Sequence, residues 1–436
     1  MPSLMKILLV STYELGRQPF GVASAAAWLV RAGHEVRSID TSREAFSPEL
    51  FRDAEMIAFH LPMHTATRLA APLIAQARQA NHDAHICCFG LYAPLNESYL
   101  RQLGVHSLLG GEFEAQLVHL AAGNSAKPVS LERLNFITPD RTSFPGLDRY
   151  AKLRIGGEQR LAGYTEASRG CKHRCRHCPI VNVYDGRFRV VQADVVLADI
   201  RQQVEAGAAH ITFGDPDFWN GPAHAMRIVE SLHENFPRVT YDATIKVEHL
   251  RKHAGLLPAL KRTGCVFVTS AVESIDDAVL ARLEKGHTRE DFLWVVREFR
   301  SQCLALSPTF IAFTPWTELE DYRQLLAAID ELDLIENVSP VQLALRLLIP
   351  SGSRLLELKD IPLTDFDECA LLWRWRHSDP QVDRVAERAL KIAAMPGSRR
   401  ELFGRFWQLA EGRPWQSPPD LVARATIPFL DEPWYC

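Results

Sequence analysis

The 436-residue sequence has no apolar run long enough to cross a membrane, because proline, glycine or charge interrupts every hydrophobic stretch. It has no dominant charge either: 49 Lys and Arg residues stand against 53 Asp and Glu residues, a net charge of −4. The N-terminal stretch MPSLMKILLVSTYELG lacks the long apolar segment and the cleavage site of a secretory signal. We therefore expect a cytoplasmic protein that binds neither membranes nor nucleic acids.

Cysteine is sparse as well, with nine residues in the whole chain, and it is concentrated at one place. Three of the nine, Cys171, Cys175 and Cys178, lie in the segment GCKHRCRHCP, where every residue between the thiols is basic. An odd cysteine count without a signal peptide does not indicate a secreted disulfide framework. We therefore expect the three clustered thiols to hold a metal or to carry out redox chemistry.

Short apolar runs alternate with helix-like stretches through most of the chain. Over residues 1–125 this alternation predicts a doubly wound parallel sheet, which binds ligands at the carboxyl ends of its strands. Residues 126–160 are rich in Pro, Gly and Ser and are predicted as a linker. Residues 161–360 contain six strand–helix repeats, which predict a partial (β/α)6 barrel, and residues 361–436 are predicted as a small helical region with a Cys-ending tail. The predicted fold class is α/β.

Three of the predicted elements have definite bounds. The first barrel strand is predicted at Tyr164–Ser168, directly before the cysteine segment. The sixth is predicted at Val341–Leu348, from the apolar run VQLALRLL. The segment LLWRWRH in the C-terminal region is predicted to be helical.

The number of thiols distinguishes the kinds of metal site. Structural zinc sites use four protein ligands, and here His173 or His177 would have to supply the fourth, so zinc is the weaker interpretation. A 4Fe–4S cluster held by three cysteines leaves one iron without a protein ligand, and that iron can bind a substrate or a cofactor. The basic residues between the cysteines are expected to lower the thiol pKa values and to favour ligation.

The spacing C-x-x-x-C-x-x-C, with the aromatic His177 before the third cysteine and after a first barrel strand, resembles the radical S-adenosylmethionine (SAM) enzyme superfamily. Two further segments resemble the cofactor-binding regions of that family. They are HITFGDPDFWN, in which Gly214, Asp215 and Asp217 would shape the methionyl site, and SAVESIDDAVLARLEKGHT, in which Ser270 and Glu273 would make polar contacts to the cofactor.

The resemblance implies a 4Fe–4S cluster on Cys171, Cys175 and Cys178 whose open iron chelates SAM. Reductive cleavage of SAM would then start radical chemistry on an unidentified small-molecule substrate, with electrons from a donor such as flavodoxin or ferredoxin. Three alternatives stay open. They are an iron–sulfur electron-transfer or sensor protein, a cobalamin-dependent radical methyltransferase, and a zinc-stabilised binding module. A fourth cysteine near the cluster would favour electron transfer, and Cys265 is the candidate inside the barrel.

The N-terminal domain resembles the cobalamin-binding domain that precedes the barrel in many radical enzymes. The D-x-H-x-x-G signature of that domain is absent, because the loop after the first strand reads STYELGRQPFG and contains no histidine. The resemblance therefore allows a cobalamin cofactor, but no axial-histidine motif in the sequence supports it. Polar residues at the predicted strand ends are expected to form a pocket that faces the barrel, among them Tyr13, Glu14, Arg17, Gln18, His60, His64, Tyr92, Asn96 and Glu112.

The C-terminal EPWYC, together with the N-terminal loops, resembles a radical SAM group named for its CUAEP or CCAEP tail. In that group a Cys-Sec or Cys-Cys pair occupies this point of the chain. The resemblance implies that Cys436 is a catalytic thiol. We expect the natural chain to continue past Cys436 through a UGA-encoded selenocysteine, which the codon after Cys436 would decide.

Overall fold

The computed structural model describes residues 4–416 and 427–431. Its N-terminal part is a parallel sheet with the strand order β2-β1-β3-β4-β5-β6. The strands are β1 (Lys6–Ser11), β2 (Glu35–Asp40), β3 (Met56–His60), β4 (His85–Phe89), β5 (Ser107–Gly111) and β6 (Val129–Ser130). The helices are α1 (Phe20–Arg31), α2 (His64–Ala80), α3 (Tyr92–Leu95), α4 (Glu97–Gln102) and α5 (Glu114–Ala121). The predicted doubly wound parallel sheet is confirmed.

Strand β1 shows why this sheet is covered on both faces. Its side chains alternate between two apolar cores, with Ile7 and Leu9 in one and Leu8 and Val10 in the other. A strand buried on both sides needs a nearly continuous apolar run, which KILLVS supplies. The order of strand addition reverses between β1 and β3, so the loops that follow these two strands diverge and leave a crevice at the carboxyl edge of the sheet.

The second part of the chain is a curled, partial barrel. Its sheet has the order β14-β13-β12-β11-β8-β7-β17, in which β17 is Phe429–Leu430 and β8, β11, β12, β13 and β14 are parallel neighbours. The strands of this part of the chain are β7 (Lys152–Ile155), β8 (Glu158–Thr165), β9 (Ser168–Gly170), β10 (Phe188–Val190), β11 (His210–Phe213), β12 (Thr240–Thr244), β13 (Cys265–Glu273) and β14 (Ala305–Phe310). Of these, β9 and β10 form a separate two-stranded sheet. The helices are α6 (Ile180–Tyr184), α7 (Ala193–Glu205), α8 (Pro222–Asn235), α9 (Val247–Lys252), α10 (Leu257–Arg262), α11 (Asp277–Arg282), α12 (Arg289–Ser301) and α13 (Leu319–Glu331).

Two of the predicted strands differ from the structure. The first barrel strand is β8, which starts earlier than Tyr164–Ser168 because it forms a hairpin with β7 around Gly156 and Gly157, both at positive φ. The hairpin therefore begins inside the segment that was predicted as a linker. The predicted sixth strand is wrong. Within Val341–Leu348 only Arg346 forms a bridge, to Phe313, since a 3-10 turn at Pro340–Leu343 occupies the start of the segment and Pro350 follows it.

The C-terminal region is mixed rather than purely helical. It contains β15 (Leu363–Asp367), β16 (Leu372–Trp375), α14 (Pro380–Ala393), α15 (Arg399–Glu411) and β17 (Phe429–Leu430). The helical prediction for LLWRWRH is wrong, because Trp375 packs into an apolar cluster as part of a β15–β16 hairpin and its Nε1 donates to the Leu347 carbonyl. Strand β17 pairs antiparallel with the edge strand β7. No helix within the described ranges has the length and apolar character needed to cross a bilayer.

The carboxyl edge of the N-terminal sheet packs directly onto the barrel. Arg141, between the two sheets, donates to both carboxylate oxygens of Asp199 at 2.7 and 2.8 Å and to the Gln18 side chain at 2.8 Å. The Ala151 amide also donates to the Gly16 carbonyl at 2.8 Å. Because both halves contribute groups to one buried hydrogen-bond network, the strand ends of the N-terminal domain are held against the mouth of the barrel.

Candidate metal centre

The cysteine segment forms a compact loop between strands β9 and β10. These strands pair antiparallel, with Gly170 opposite Phe188, and the Cys171 amide donates to the Arg187 carbonyl at 3.1 Å. A tight turn follows, in which the Cys178 amide donates to the Cys175 carbonyl at 3.1 Å. The loop is therefore fixed by backbone bonds, and its three thiols lie on one side of the carboxyl edge of the barrel.

Asn220 holds the loop from the side of strand β11. Its Oδ1 accepts from the Lys172 amide at 3.1 Å and lies 3.7 Å from the Cys171 sulfur, and its Nδ2 donates to the Gly170 carbonyl at 3.3 Å. Asn220 is fully buried. Asn220 ends the segment HITFGDPDFWN, and its contact with the loop depends on a 3-10 turn at Phe218–Asn220, which the sequence pattern does not predict.

Two buried lysines lie beside the thiols. Lys246, directly after β12, places its ammonium group 3.6 Å from the Cys175 sulfur. Lys285 bonds to Glu273 at 3.2 Å; burial opposes its charge, but Glu273 and the neighbouring Cys175 and Cys178 outweigh burial and raise the Lys285 pKa. No short sequence pattern connects Lys246 or Lys285 with the cysteines.

The basic residues of the loop itself do not surround the sulfurs as expected. Arg174 pairs with Asp185 at 2.8 Å, Arg176 pairs with Glu284 at 2.6 Å, and the Lys172 ammonium lies over the Phe188 ring. The expected lowering of the thiol pKa values is wrong for Cys171 and Cys178. Desolvation raises the pKa of both thiols, that of Cys178 to about 12.

Each predicted cofactor contact has a defined surrounding in the structure. Gly214 is required because a Cβ there would overlap the Tyr164 hydroxyl. Asp215 accepts from the Ala167 amide at 2.9 Å and from the Ser168 hydroxyl at 2.5 Å, and burial raises its pKa to about 7. These contacts hold Asp215 close to the start of the cysteine loop.

Of the other predicted contacts, Asp217 and Glu273 contact histidines, and Ser270 is bound within the sheet. Asp217 is buried and contacts His249 at 2.6 Å and His173 at 3.7 Å, and burial lowers the His173 pKa to about 4. Glu273, at the end of β13, contacts His177 at 3.1 Å. Ser270 is buried within β13 and donates to the Ile245 carbonyl at 2.7 Å, so its hydroxyl is bound within the sheet. Their roles toward a cofactor stay predictions.

Arg346 and Cys265 lie in other parts of the structure than the cysteine loop. Arg346 pairs with Asp383 at 2.8 Å and stacks on Trp375, so it supports the C-terminal region. Cys265 lies at the amino end of β13, whereas Glu273, which reaches the cysteine loop, lies at its carboxyl end. Eight residues at the rise of a β-strand separate them by roughly 26 Å. Cys436, the predicted catalytic thiol, lies outside the described residues.

The donor set fits an iron–sulfur cluster better than zinc. Among the described residues, the ligand atoms that lie within 4.8 Å of one another belong to Cys171, His173 and Asp217. Cys175 and Cys178 therefore do not form one compact, tetrahedral ligand set with Cys171. Cubane clusters bind separate irons through separate thiolates and are stabilised by buried positive charge and hydrogen bonds to sulfur. Lys246 and Lys285 provide that charge.

A cavity of about 360 Å³ lies between the cysteine loop and the N-terminal sheet, and we call it the interdomain cavity. The ends of β1 and β3, the loops after β8 and β11, and the β9–α6 region all contribute to its lining. Glu14 and His60, predicted to line a pocket that faces the barrel, contact each other at 2.7 Å within it. That prediction is thus met for these two residues and for Arg17.

Side chains of the N-terminal domain narrow the interdomain cavity. The His60 ring fills the space beside Gly21 and Gly90, and Phe20 packs edge-on against Tyr164 with their centroids 6.3 Å apart. Arg17 also lies 5.0 Å from the Tyr164 ring. At about 360 Å³ the cavity has the size of a site for a drug-sized ligand, and the larger cobalamin would require these side chains to move.

Residues 165–325 match the family model described as the radical SAM superfamily. Among curated proteins, a threonylcarbamoyladenosine tRNA methylthiotransferase of Thermotoga maritima is 23% identical over 60% of this chain and 59% of its own length. A probable enzyme of the same name from Methanothermobacter thermautotrophicus is 27% identical over 39% of this chain and 41% of its own length. The chain thus spans about half the length of these curated relatives.

Two solved structures share the fold over nearly the whole chain. The cobalamin-dependent SAM radical enzyme OxsB, with aqua-cobalamin bound, superposes with a TM-score of 0.70 at 15% identity, covering 94% of this chain and 71% of that one. The radical SAM methyltransferase TsrM of Kitasatospora setae, with cobalamin and a [4Fe–4S] cluster bound, gives a TM-score of 0.62 at 16% identity, covering 90% of each chain. At these identities the likeness establishes the fold.

Proposed function

Because the chain is a radical SAM protein with a cobalamin-binding-like fold at its N-terminus, we propose that it is an enzyme that cleaves SAM reductively and starts radical chemistry on a small molecule. One observation carries the proposal most directly. The three thiols lie on a fixed loop at the carboxyl edge of a partial barrel, next to a cavity, and the barrel's candidate fourth thiol, Cys265, is at the opposite end of its strand. A cluster held there would keep one iron open toward the cavity.

The cysteine loop would hold the cluster through Cys171, Cys175 and Cys178. When bound, the cluster and SAM supply the electron transfer and carbon–sulfur cleavage that start the reaction. The protein binds and shields these groups: Asn220 fixes the loop, and Tyr184 covers Gly170 beside Cys171. We assign Asp215 to the methionyl ammonium of SAM, since its carboxylate lies on the loop side of the cavity.

A small-molecule substrate is favoured over tRNA, although the curated relatives are named for tRNA modification. Nucleic-acid binding depends on neutralising phosphates with Lys and Arg, and this chain has a net charge of −4. The interdomain cavity also carries more carboxyl groups than arginines. An electron donor such as flavodoxin or ferredoxin is part of the proposal, because the cluster must be reduced for each SAM cleavage.

The proposal is tested by anaerobic reconstitution followed by measurement of iron, sulfide and 5′-deoxyadenosine with dithionite as reductant. Changing Cys171, Cys175 or Cys178 to Ser should abolish cluster binding and SAM cleavage. Cys303→Ser is the matched control, because Cys303 is exposed, and it should retain both. A colourless protein with bound zinc would establish the binding-module alternative, and a cluster without SAM cleavage would establish the electron-transfer or sensor alternative.

Cobalamin-dependent methyl transfer is the second candidate, and the fold shared with OxsB and TsrM favours it. The filled space around His60 and Tyr164 opposes it. The two candidate functions are distinguished by adding hydroxocobalamin to the reconstituted protein, removing the unbound cofactor by gel filtration and recording an absorbance spectrum. We expect no cobalamin to be retained, and stoichiometric retention would favour the methyltransferase.

A further inference from the structure

A second cavity, of about 270 Å³, lies inside the curled sheet of the partial barrel, and we call it the barrel cavity. Strands β11, β12, β13 and β14 line it together with β17. It shares Leu15, Arg17, Gly214 and Thr244 with the interdomain cavity. Because Gly214 belongs to the predicted methionyl site, a molecule in the barrel cavity would lie next to bound SAM.

The wall of the barrel cavity carries hydroxyl groups that no other part of the described chain binds. The interior of a closed (β/α)8 barrel is filled mainly by bulky apolar side chains. Here three neighbouring strands present the hydroxyls of Thr244, Thr269, Ser307 and Thr309 instead. Thr244 pairs in register with Thr269, and Thr269 with Ser307, so these hydroxyls form one row across the sheet. Among the described residues, none makes a hydrogen bond to any of the four hydroxyls.

Asp242, on β12, adds a carboxylate to the same wall. Its Oδ1 accepts from His210 Nε2 at 2.8 Å and from the Thr212 hydroxyl at 2.6 Å. His210 also contacts the Thr240 hydroxyl at 2.9 Å, so the orientation of the carboxylate is fixed from β11 and from its own strand. Within the ranges that the structure describes, Asp242 Oδ2 has no donor, although Asp242 lines the cavity. A carboxylate withdrawn from water is costly unless donors satisfy it, so Oδ2 requires a donor from a molecule in the cavity.

The two guanidinium groups of the lining, on Arg17 and Arg399, already have protein partners. Arg17 lies over the Tyr164 ring, and Arg399 donates to the Glu336 carbonyl. The single carboxylate of Asp242 is not in excess over these two cations, so the lining does not select for a positively charged ligand. The groups that need partners are the hydroxyls and one carboxylate oxygen, and a ligand with several hydroxyl groups supplies both donors and acceptors.

We propose that the substrate of this enzyme is a neutral polyhydroxylated molecule, such as a sugar or a cyclic polyol, that binds in the barrel cavity. Its hydroxyl groups donate to Asp242 Oδ2 and bond to the hydroxyls of Thr244, Thr269 and Ser307. This inference rests on the proposed function and adds the chemical class of the substrate. The cavity has room for about nine water molecules at about 30 Å³ each, which is the space of one small ring.

Ring compounds of similar size test the preference for hydroxyl groups. D-glucose, D-galactose and myo-inositol are each titrated into the reconstituted protein with SAM, beside cyclohexanol and cyclohexylamine, and binding is followed by saturation-transfer NMR. We expect at least one polyol to bind about tenfold more tightly than cyclohexanol, because one additional hydrogen bond of ordinary net strength gives about that factor. Tighter binding of cyclohexylamine than of every polyol would overturn the inference. Absence of binding by all three polyols would overturn it too, since water alone would then fill the cavity.

Asp242→Asn tests the location of this preference, because the amide keeps the size of the side chain and replaces the free carboxylate oxygen with an NH2 group. The variant should bind the preferred polyol about tenfold more weakly, since a charge-assisted hydrogen bond is lost. Asp83→Asn, at an exposed position of the N-terminal domain, is the matched control and should bind it as the wild type does.

Thr269→Val is the second cavity variant, used if Asp242→Asn does not fold. The Thr269 hydroxyl bonds to no group of the described chain, so its loss should leave folding intact and weaken polyol binding about threefold. A cavity variant that folds and binds the polyol as the wild type does would overturn the inference.

A parallel assay separates this inference from the proposed function. SAM cleavage with dithionite in the absence of any probe reports on the cluster and on SAM alone. Cleavage without a preference for the polyols would overturn the substrate class and leave the enzyme class intact. The absence of cleavage would overturn the proposed function itself.

Discussion

At the scale of single residues, the site is defined by groups that the sequence pattern does not connect. The three cysteines are predictable because their spacing is local and a metal requires them close together. Lys246, Lys285 and Asn220 reach the loop from three other segments of the barrel, so their roles depend on how the strands are ordered. No periodicity or short motif distinguishes Lys246 from an exposed lysine.

Lys246→Met is predicted to lower the reduction potential of the cluster. The Lys246 ammonium lies 3.6 Å from the Cys175 sulfur, and a positive charge there stabilises the more negative, reduced cluster. Loss of one charge-assisted bond of about 1.4 kcal/mol corresponds to about 60 mV for a one-electron couple. The shift is measured by a redox titration followed by EPR.

Lys252→Met is the control for this prediction, because Lys252 is exposed on the neighbouring helix α9 and should leave the potential unchanged. Equal potentials in the wild type and in Lys246→Met would show that the ammonium does not act on the cluster. A loss of iron from Lys246→Met would instead indicate that Lys246 is needed to assemble the site.

At the scale of elements, the β9–β10 hairpin determines where the cysteine loop begins. Gly170 closes β9 at a φ of 74°, and a Cβ there would overlap the Tyr184 ring and the Arg187 carbonyl. The strand–helix alternation of the sequence predicted most of the barrel, because apolar runs and helix periodicity are local signals. It missed the β7–β8 and β15–β16 hairpins, which are stabilised by glycine turns or by packing against distant residues.

Gly170→Ala is predicted to reduce both the stability of the protein and its loading with cluster. The loss of stability should exceed the cost of placing alanine at a positive φ, because the added Cβ also overlaps Tyr184. Gly157, in the β7–β8 turn, has a similar φ of 85° and nothing within 4 Å of a Cβ placed on it. Gly157→Ala should therefore cost about 1 kcal/mol of unfolding free energy, the penalty for a left-handed residue. Gly170→Ala should cost more and should also lower the iron content after reconstitution.

The comparison of the two alanine variants is what makes this test specific. If both variants lose the same stability and both retain iron, the contact of Gly170 with Tyr184 has no bearing on the loop. Thermal unfolding and iron content are measured on the same preparations, so that loading and folding are compared directly.

At the scale of the whole molecule, the carboxylate network around Arg169 joins the two halves of the chain. Glu112 and Glu114 come from the end of the N-terminal sheet, and Arg169 belongs to the strand that precedes the cysteine loop. The pKa of Glu112 is about 7 in the folded protein against an ordinary value of 4.5, so the folded state holds this proton more tightly than the unfolded chain does. The stability from this proton is present below about pH 4.5 and is lost as the pH rises through 7.

Arg169→Met is predicted to lower the free energy of unfolding by about 3 kcal/mol near neutral pH, because it leaves the buried Glu112 and Glu114 and the partly buried Glu166 without their cation. The loss should shrink as the pH falls and the carboxyl groups become protonated. Urea unfolding at about pH 5.5 and about pH 8 measures both effects. Arg297→Met, which breaks an exposed pair with Glu290, should cost less than about 1 kcal/mol at either pH.

An equal loss of stability at both pH values would contradict this account of the network. It would show that Arg169 acts by packing, since its guanidinium also lies over the rings of Phe113 and Phe136. The pH dependence thus distinguishes the loss of ion pairing from the loss of packing.

The pairing of β17 with β7 has a consequence for how the molecule is made. The Lys152 amide donates to the Asp431 carboxylate across 279 residues of sequence, so one edge of the barrel is covered by a strand that is synthesised long after it. Contacts of such long sequence separation form late and slow the completion of folding. On the ribosome, the β7 edge would stay open until that strand emerges, and during this interval the nascent barrel is most exposed to mispairing with other chains.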